Sequence, residues 1–294
     1  METVIFDGRA RAKAREEKLK KRVDKLLAKG VTPRLSTFLI GDYWSNRLYI
    51  KMKGKAAERI GAKLDVYEIT AKHSYNRIGA LMRILNDDKD VHGIMVQLPI
   101  HPKFRRFEMR ILSSINPDKD VDGMVMPSKF VPATVKGVID ILKEVKMKKY
   151  IVDKSKIVVM GSEGMVGSQM VKHLLREGYR VKGVDIKQMR TVPNRSQYWK
   201  AVRHMKIAKL ASEGDVLITA TGDVEWIGKE HVKWGGVVID VGAPKPEAKK
   251  DELIGHAKFI TPVPGGVGPM TVISLMDNLV TAAEKLTKEP TDKG

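Results

Sequence analysis

A lysine four residues after a tyrosine, Tyr49-x-x-x-Lys53, is the first place in this chain where residue type and spacing offer chemistry. On a helix of about 3.6 residues per turn, Tyr49, Lys53, Ala56 and Ile60 share one narrow stripe, whereas Arg47, Lys51 and Lys55 face the other way. Lys53 is therefore the inward lysine. By spacing alone such a residue reads first as one whose stem is buried while its ammonium snorkels to water. The functional alternative is an amine that burial pushes towards neutrality, so that it can manage protons.

Three other stretches carry possible chemistry. Lys156-Ile-Val-Val-Met-Gly161-Ser-Glu-Gly164-Met-Val-Gly167 reads as a strand, a tight glycine turn and the start of a helix, with glycines in the pattern G-x-x-G-x-x-G. The spacing departs from the commonest dinucleotide fingerprint and is weak by itself. Asp185, 24 residues after Gly161, adds to it, because an acid at the end of the next strand can hold a ribose hydroxyl. A pyrophosphate would then lie over the helix N-terminus near Gly164 to Gly167.

From Ile260 to Thr271, three prolines and three glycines predict a rigid, bare loop through which no strand or helix runs. Either it is punctuation between elements, or it lets a flat ligand approach the main chain. Asp120 and Asp122 follow Asn116-Pro117 and read as a turn, as a weak metal site, or as acceptors for paired N–H donors. No histidine stands nearby to complete a metal shell, so no metal is expected.

The elements that must position these residues alternate. Helices are expected at 9–29, 44–60 and 75–86, and strands at 35–40, 63–69 and 93–97, a βαβ pattern that predicts a parallel sheet. A helix around 136–147 and a basic loop at 148–155 lead to a second α/β unit, with strands at 156–160, 181–185, 215–220 and 236–241 and a helix at 271–287. The linker is placed near residue 134. The fold class is α/β: two α/β domains, the second a Rossmann-like doubly wound parallel sheet, with a cleft between them.

Composition narrows the partners. At 294 residues there is room for about two domains with a substantial core. There is no cysteine, which excludes disulfides and thiolate metal sites. No apolar run approaches a membrane span and Met1 to Lys29 has no apolar targeting core, so a soluble cytoplasmic protein is expected. The net charge of +19 attracts polyanions. Its lysines are spread over many segments without interleaved aromatics, however, which argues against a nucleic-acid platform.

Five ordered blocks resemble the bifunctional methylenetetrahydrofolate dehydrogenase/cyclohydrolase family: Tyr49-x-x-x-Lys53, Val96-Gln97-Leu98-Pro99, Lys119-Asp120-Val121-Asp122-Gly123, Ile239-Asp240-Val241-Gly242, and the proline–glycine run ending at Thr271. The likeness begins at Phe6-Asp7-Gly8, runs through Gly41-Asp42 and reaches the last helix, so it covers nearly the whole chain. It reverses the bland reading of Lys53, which the resemblance makes catalytic together with Tyr49, Gln97 and Asp122. Tyr49 would stack on or hydrogen-bond the folate and hold the lysine in line. Gln97 would bridge lysine and substrate, and Asp122 would accept from the aminopyrimidinone edge of the pterin.

The resemblance further implies substrate contacts at Val96, Leu98, Pro264, Gly265, Gly266, Val267 and Gly268. Cofactor contacts are implied at Gly161, Ser162, Glu163, Gly164, Gly167, Asp185, Ile186, Ala243 and Thr271. Residues 1–134 would form the folate-binding catalytic domain, completed by a C-terminal helix over 271–294, and residues 135–270 the NAD(P)-binding domain. A homodimer and a folate substrate, possibly polyglutamylated, are expected.

The chain also departs from the family. Relatives usually carry Arg-Ser after the first glycine and Ser after the next strand, which grip the phosphate of NADP; here Ser162-Glu163 and Ile186 stand there. NADP is the family default and NAD is what these substitutions support, although Lys187 and Arg190 could restore a basic pocket. Asn46 replaces a frequent Ser, residues 187–210 form a longer basic insertion, and the segments after Asp122 and Gly242 are short. The expected reaction is oxidation of 5,10-methylenetetrahydrofolate and hydrolysis of the methenyl product to 10-formyltetrahydrofolate. The rivals are a cyclohydrolase with weak or lost dehydrogenase activity, and a basic nucleic-acid-binding protein that reuses the fold.

Overall fold

The structure is a computed structural model that describes residues 1–124, 127–185 and 197–288, with backbone only at 197–203 and 288. It divides into two compact units, one built from Ala12–Ala133 with Val272 onward, the other from Met1–Arg11 with Thr134–Thr271.

The first unit holds a parallel three-stranded sheet in the order β3-β2-β4, with β2 Arg34–Ile40, β3 Lys63–Ile69 and β4 Gly93–Gln97. Central β2 is almost wholly buried and reads as a continuous run rather than an alternation, as expected of a parallel strand covered on both faces. Its register sets Phe38 beside Val96 and Leu39 beside Gln97. Helix α1 (Gly8–Leu27) precedes β2, and α2 (Trp44–Ile60) and α3 (Tyr75–Asp87) connect the strands. A short helix α4 (Glu108–Ser113) follows the 3-10 segment Pro102–Phe107. Phe38, Ile40, Ile78, Met82, Ile94, Val96 and Ile100 form one core cluster.

The lengths of α2 and β3 have a local cause. Gly61 takes a left-handed φ of 81°, which only glycine adopts without strain, and its N–H closes on the carbonyls of Glu58 and Ala57. The chain can then enter β3 at once, and Lys63 pairs with Arg34.

The second unit holds a parallel six-stranded sheet in the order β1-β9-β8-β7-β5-β6. Its strands are β1 Val4–Ile5, β5 Lys156–Met160, β6 Arg180–Val184, β7 Val216–Thr219, β8 Val237–Asp240 and β9 Phe259–Ile260. From β5 the chain turns to β6 on one side and later to β7 on the other. The carboxyl ends of β5 and β7 are thus a topological switch point, where open α/β sheets bind ligands. Helices α5 (Ala133–Met147), α6 (Met165–Arg176), α7 (Gln197–Ser212), the single-turn α8 (Lys250–Leu253) and α9 (Val267–Lys288) complete the chain.

Two details differ from the expectation. Residues 1–11 cluster with the six-stranded unit rather than with residues 12–133, because β1 pairs with β9 and the Thr3 hydroxyl donates to Ala257 at 2.6 Å. The run from Ile260 to Thr271 is also not all loop: Ile260 ends β9, and α9 begins at Val267 rather than at 271. Gly268 and Pro269 thereby lie in a first helical turn, where the proline's missing N–H costs nothing. Of the basic insertion, residues 197–210 belong to α7 and 187–196 lie outside the described residues. Among the described residues, no helix is long and apolar enough to cross a membrane.

Candidate active site

The buried face of α2 comprises Asn46, Ile50, Lys53, Ala56, Ala57 and Ile60, while Arg47, Lys51 and Lys55 are exposed. Lys53 is only 7% exposed and does not snorkel. Its Nζ donates to Gln97 Oε1 at 2.9 Å and lies 3.6 Å from Met95 Sδ, a weak acceptor. Burial holds the amine below the usual lysine range, and the nearby Asp122 carboxylate opposes that shift. Burial likewise pushes the Asp122 carboxyl up, and Lys53 opposes it. Each charge stabilises the other in a place that favours neither.

Gln97 ends β4, and its side chain is oriented by both of its poles. The carbonyl oxygen accepts from Lys53, and Nε2 donates to the Leu98 carbonyl at 3.0 Å. Asn46, one of the departures in sequence, is 1% exposed and donates to the Pro99 carbonyl at 2.8 Å, so the first turn of α2 is tied to the segment that follows Gln97. Its signal in the sequence was a polar residue two turns before Lys53 on the buried stripe. Tyr49 is half-buried, which raises its phenol above the ordinary value, and it makes no hydrogen bond to Lys53. Val96 packs its side chain into the core cluster and so offers a ligand only main chain, whereas Leu98 is partly buried against the same cluster.

The two aspartates of Lys119-Asp-Val-Asp-Gly123 have different fates. Asp120 is fully buried, and its Oδ1 accepts from the N–H groups of Gly123 (3.1 Å) and Met124 (3.3 Å), the turn reading. The Asp122 carboxylate has no hydrogen-bond partner among the described residues and remains available to a ligand; its main-chain carbonyl accepts from Ala133 at 3.2 Å. The strap around Asp122 is held by a residue that sequence reading missed. Asn278 of α9, 2% exposed, donates to the carbonyls of Val121 (2.8 Å) and Val131 (3.0 Å). An amide on the apolar face of a late helix was its only trace.

In the six-stranded unit, Gly161 follows β5 with φ +75°, and a Cβ there would meet the Ala220 carbonyl oxygen at 2.3 Å. A Cβ on Gly167 would meet the Gly161 oxygen at 2.0 Å. Both positions demand bare backbone, which brings the N-terminus of α6 close against the turn, as a dinucleotide site requires. Gly164 is the N-cap of α6, and Ser162 packs against Gly183. Asp185 accepts from the exposed Glu163 N–H at 3.1 Å, so part of its capacity is already used. Ile186 lies outside the described residues.

Ala243 is exposed, beside a cis bond to Pro244, and the Thr271 hydroxyl donates to the Val267 carbonyl at 3.2 Å. Pro264, after a second cis bond, is exposed, and Gly265 has φ +110°. The Gly266 N–H closes on the Pro262 carbonyl at 2.7 Å, Val267 is buried and Gly268 partly buried. The structure thus gathers Lys53, Gln97, Met95 and Asp122 in one unit, and Gly161 to Gly167, Asp185 and Pro264 to Gly268 in the other.

One His/Glu set among the described residues has metal-like spacing, namely His204, Glu230 and His231. Glu230 Oε1 lies 3.2 Å from His204 Nε2 and 3.2 Å from His231 Nδ1, and the latter also faces the Gly228 N–H. Burial lowers the His231 pKa and favours a neutral ring. The Gly228 N–H donates to His231 Nδ1, so in a neutral ring that nitrogen is an acceptor and makes no hydrogen bond to Glu230, and the buried His231 Nε2 has no hydrogen-bond partner among the described residues.

Residues 6–122 match the family described as tetrahydrofolate dehydrogenase/cyclohydrolase, catalytic domain, and residues 132–287 its NAD(P)-binding domain. A curated relative, the bifunctional protein FolD of Listeria innocua, is 33% identical over 97% of this chain and 98% of its own. The fold is similar to the crystal structure of the bifunctional enzyme FolD from Campylobacter jejuni, with TM-score 0.82, 30% identity and coverage of 96% and 99% of the two chains. It is similar also to FolD from Trypanosoma brucei complexed with NADP and an inhibitor, with TM-score 0.84, 28% identity and coverage of 98% and 99%.

Proposed function

The chain belongs to the tetrahydrofolate dehydrogenase/cyclohydrolase family, and from that premise we propose that it oxidises 5,10-methylenetetrahydrofolate with NAD(P)+ and hydrolyses the methenyl product to 10-formyltetrahydrofolate. The observation that carries the reading is the buried Lys53–Gln97 contact with Asp122 as its electrostatic neighbour.

The nicotinamide, when bound, supplies the hydride acceptor. The residues present suit it: Gly161 and Gly167 leave main chain bare at the start of α6, where Ser162, Gly164 and those glycines would hold the pyrophosphate, and Asp185 would hold a ribose hydroxyl. Ala243 and Thr271 would line the nucleotide, and within Pro264 to Gly268 the exposed Pro264 and partly exposed Gly265 and Gly268 would face the ligands.

Loss of hydride leaves an amidinium-like cation on the folate, which a neighbouring ammonium would repel. A neutral Lys53 avoids that repulsion and can take a proton from the water that adds to the carbon. When the carbon–N5 bond opens, one of the water's two protons ends on N5 and the other leaves to solvent. Lys53 relays protons in both stages while Gln97 orients it. Asp122 accepts from the pterin's paired N–H groups, Tyr49 covers the folate ring, and Val96 and Leu98 contribute main chain beneath it.

The protein would act in the cytoplasm as a homodimer without a metal, supplying one-carbon units, and its basic surface would favour polyglutamylated folate. Glu163 and Asp185, two acids at the ribose end, motivate a second reading in which dehydrogenase activity is weak and hydrolysis persists. Methenyl-folate formation with NAD and with NADP, alongside hydrolysis of the methenyl compound, separates the two. In Lys53→Met we expect hydrolysis to fall by about 10²–10⁴-fold, the range for a positioned proton-transfer group, with pterin binding little changed. Unchanged hydrolysis would remove Lys53 from the mechanism.

A further inference from the structure

Behind the loop that follows β7 lie two buried carboxylates that the proposed chemistry does not use. Glu247 is 3% exposed, and its Oε2 accepts from the Thr221 N–H (2.9 Å) and hydroxyl (2.7 Å), while Oε1 accepts from the Gly222 N–H (2.8 Å). The Thr221 oxygen in turn accepts from Trp226 Nε1 (2.9 Å) and the Asp223 N–H (3.2 Å). Asp240, 1% exposed at the end of β8, holds Glu247 from behind. Its Oδ2 accepts from the N–H groups of Glu247 and Ala248, both at 2.9 Å; Oδ1 accepts from the Gly242 N–H (2.7 Å) and the Thr219 hydroxyl (3.3 Å).

Seven donors therefore converge on two side chains. A carboxylate accepts at both oxygens, whereas an amide would turn a donor of its own towards them; burial pushes the Asp240 carboxyl above its usual range, and the N–H groups of Ala248, Gly242 and Glu247 oppose that shift. Burying two anions is a poor way to gain stability, because an apolar filling of equal volume often does as well or better. What the charges secure is the course of the main chain from Ala220 to Gly222. That loop touches the glycine turn: the Ala220 carbonyl oxygen is what a Cβ on Gly161 would strike. It also leaves the carboxyl end of β7 at the switch point of the sheet.

We propose that Glu247, braced by Asp240, is a positioning residue for nucleotide binding, fixing the Ala220–Gly222 loop as one wall of the NAD(P) crevice. The inference rests on the six-stranded unit binding NAD(P) and says nothing of Lys53. In Glu247→Gln an NH2 faces an N–H or the Thr221 hydroxyl, and the loop must move.

The test is calorimetric titration of the full-length wild type, Glu247→Gln, Glu247→Asp and Thr221→Val with NAD and NADP, beside steady-state rates for both reactions. We expect Glu247→Gln to raise the Kd and KM of the preferred nucleotide by about tenfold, as for loss of one charge-assisted hydrogen bond. Hydrolysis of the methenyl compound should stay within about twofold of wild type. Glu247→Asp, which keeps the charge, should recover part of the affinity, and Thr221→Val should lose less than Glu247→Gln. Equal falls in both activities at unchanged nucleotide KM would mark Glu247 as a stability residue only and overturn the proposal. Should Glu247→Gln not fold, a smaller rise in nucleotide Kd in Thr221→Val, with hydrolysis unchanged, carries the proposal, and no rise overturns it. A wild type that binds nucleotide without oxidising the folate would defeat the proposed reaction and leave the Kd comparison to judge Glu247; one that binds neither nucleotide would defeat this inference.

Discussion

At the scale of single residues, the position of Lys53 is a conflict between burial and charge. Burial favours the neutral amine and Asp122 favours the ammonium, so Asp122 raises the pH at which Lys53 loses its proton. If the neutral amine is the active form, the kcat for hydrolysis rises with pH through the folded-state pKa of Lys53. In Asp122→Asn that rising limb should move to lower pH, measured at saturating substrate so that weaker pterin binding does not obscure it; a limb that moves the other way, or not at all, separates the two groups. The linkage to folding has a definite sign. Lys53 in the unfolded chain binds its proton more tightly than in the native state, so as pH rises from below, its destabilising contribution fades in the window between the folded pKa and the ordinary lysine value. Asp122, whose folded pKa is raised, acts in the opposite sense near the carboxylate range, its protonated form being favoured by folding.

Elements decide how firmly these residues are held. The Asp122 strap depends on α9, a helix more than 140 residues further along, through one amide. Asn278→Ala would leave the Val121 and Val131 carbonyls without that donor, costing about 1–3 kcal/mol in urea-induced unfolding. It should also raise the folate KM, while a purely global loss would lower only the amount of active enzyme. On the nucleotide side, β6 delivers Asp185 to the loop of Glu163, placing two acids together where a 2′-phosphate would need cations. The double variant Glu163→Ser, Asp185→Ser should raise kcat/KM with NADP relative to NAD; an unchanged ratio would show that residues beyond Asp185 set the preference.

For the whole molecule, the charge of +19 is a field rather than a site. Added salt screens it, with a Debye length of about 10 Å at 0.1 M. The KM for a polyglutamylated folate should therefore climb with ionic strength far more steeply than that for the monoglutamate. Parallel salt curves for the two substrates would assign the basic surface to something other than capture of the tail.

What residue order settled by itself was whatever a local period or a bare turn can specify. α2 spans 44–60 and β3 63–69 as the pattern and Gly61 require, and the lysine on the inward stripe is the buried one, because 3.6-residue spacing alone chooses the face. The glycine turn at Gly161 follows its strand for the same local reason. Strands of two residues, β1 and β9, have no period to read, so only their pairing across more than 250 positions reveals them and carries residues 1–11 into the six-stranded unit. Asn278 left no trace in sequence beyond an amide on an apolar helix face, and Glu247 left none. Their worth lies in which main-chain groups end up facing them, and folding alone brings those groups within hydrogen-bonding reach.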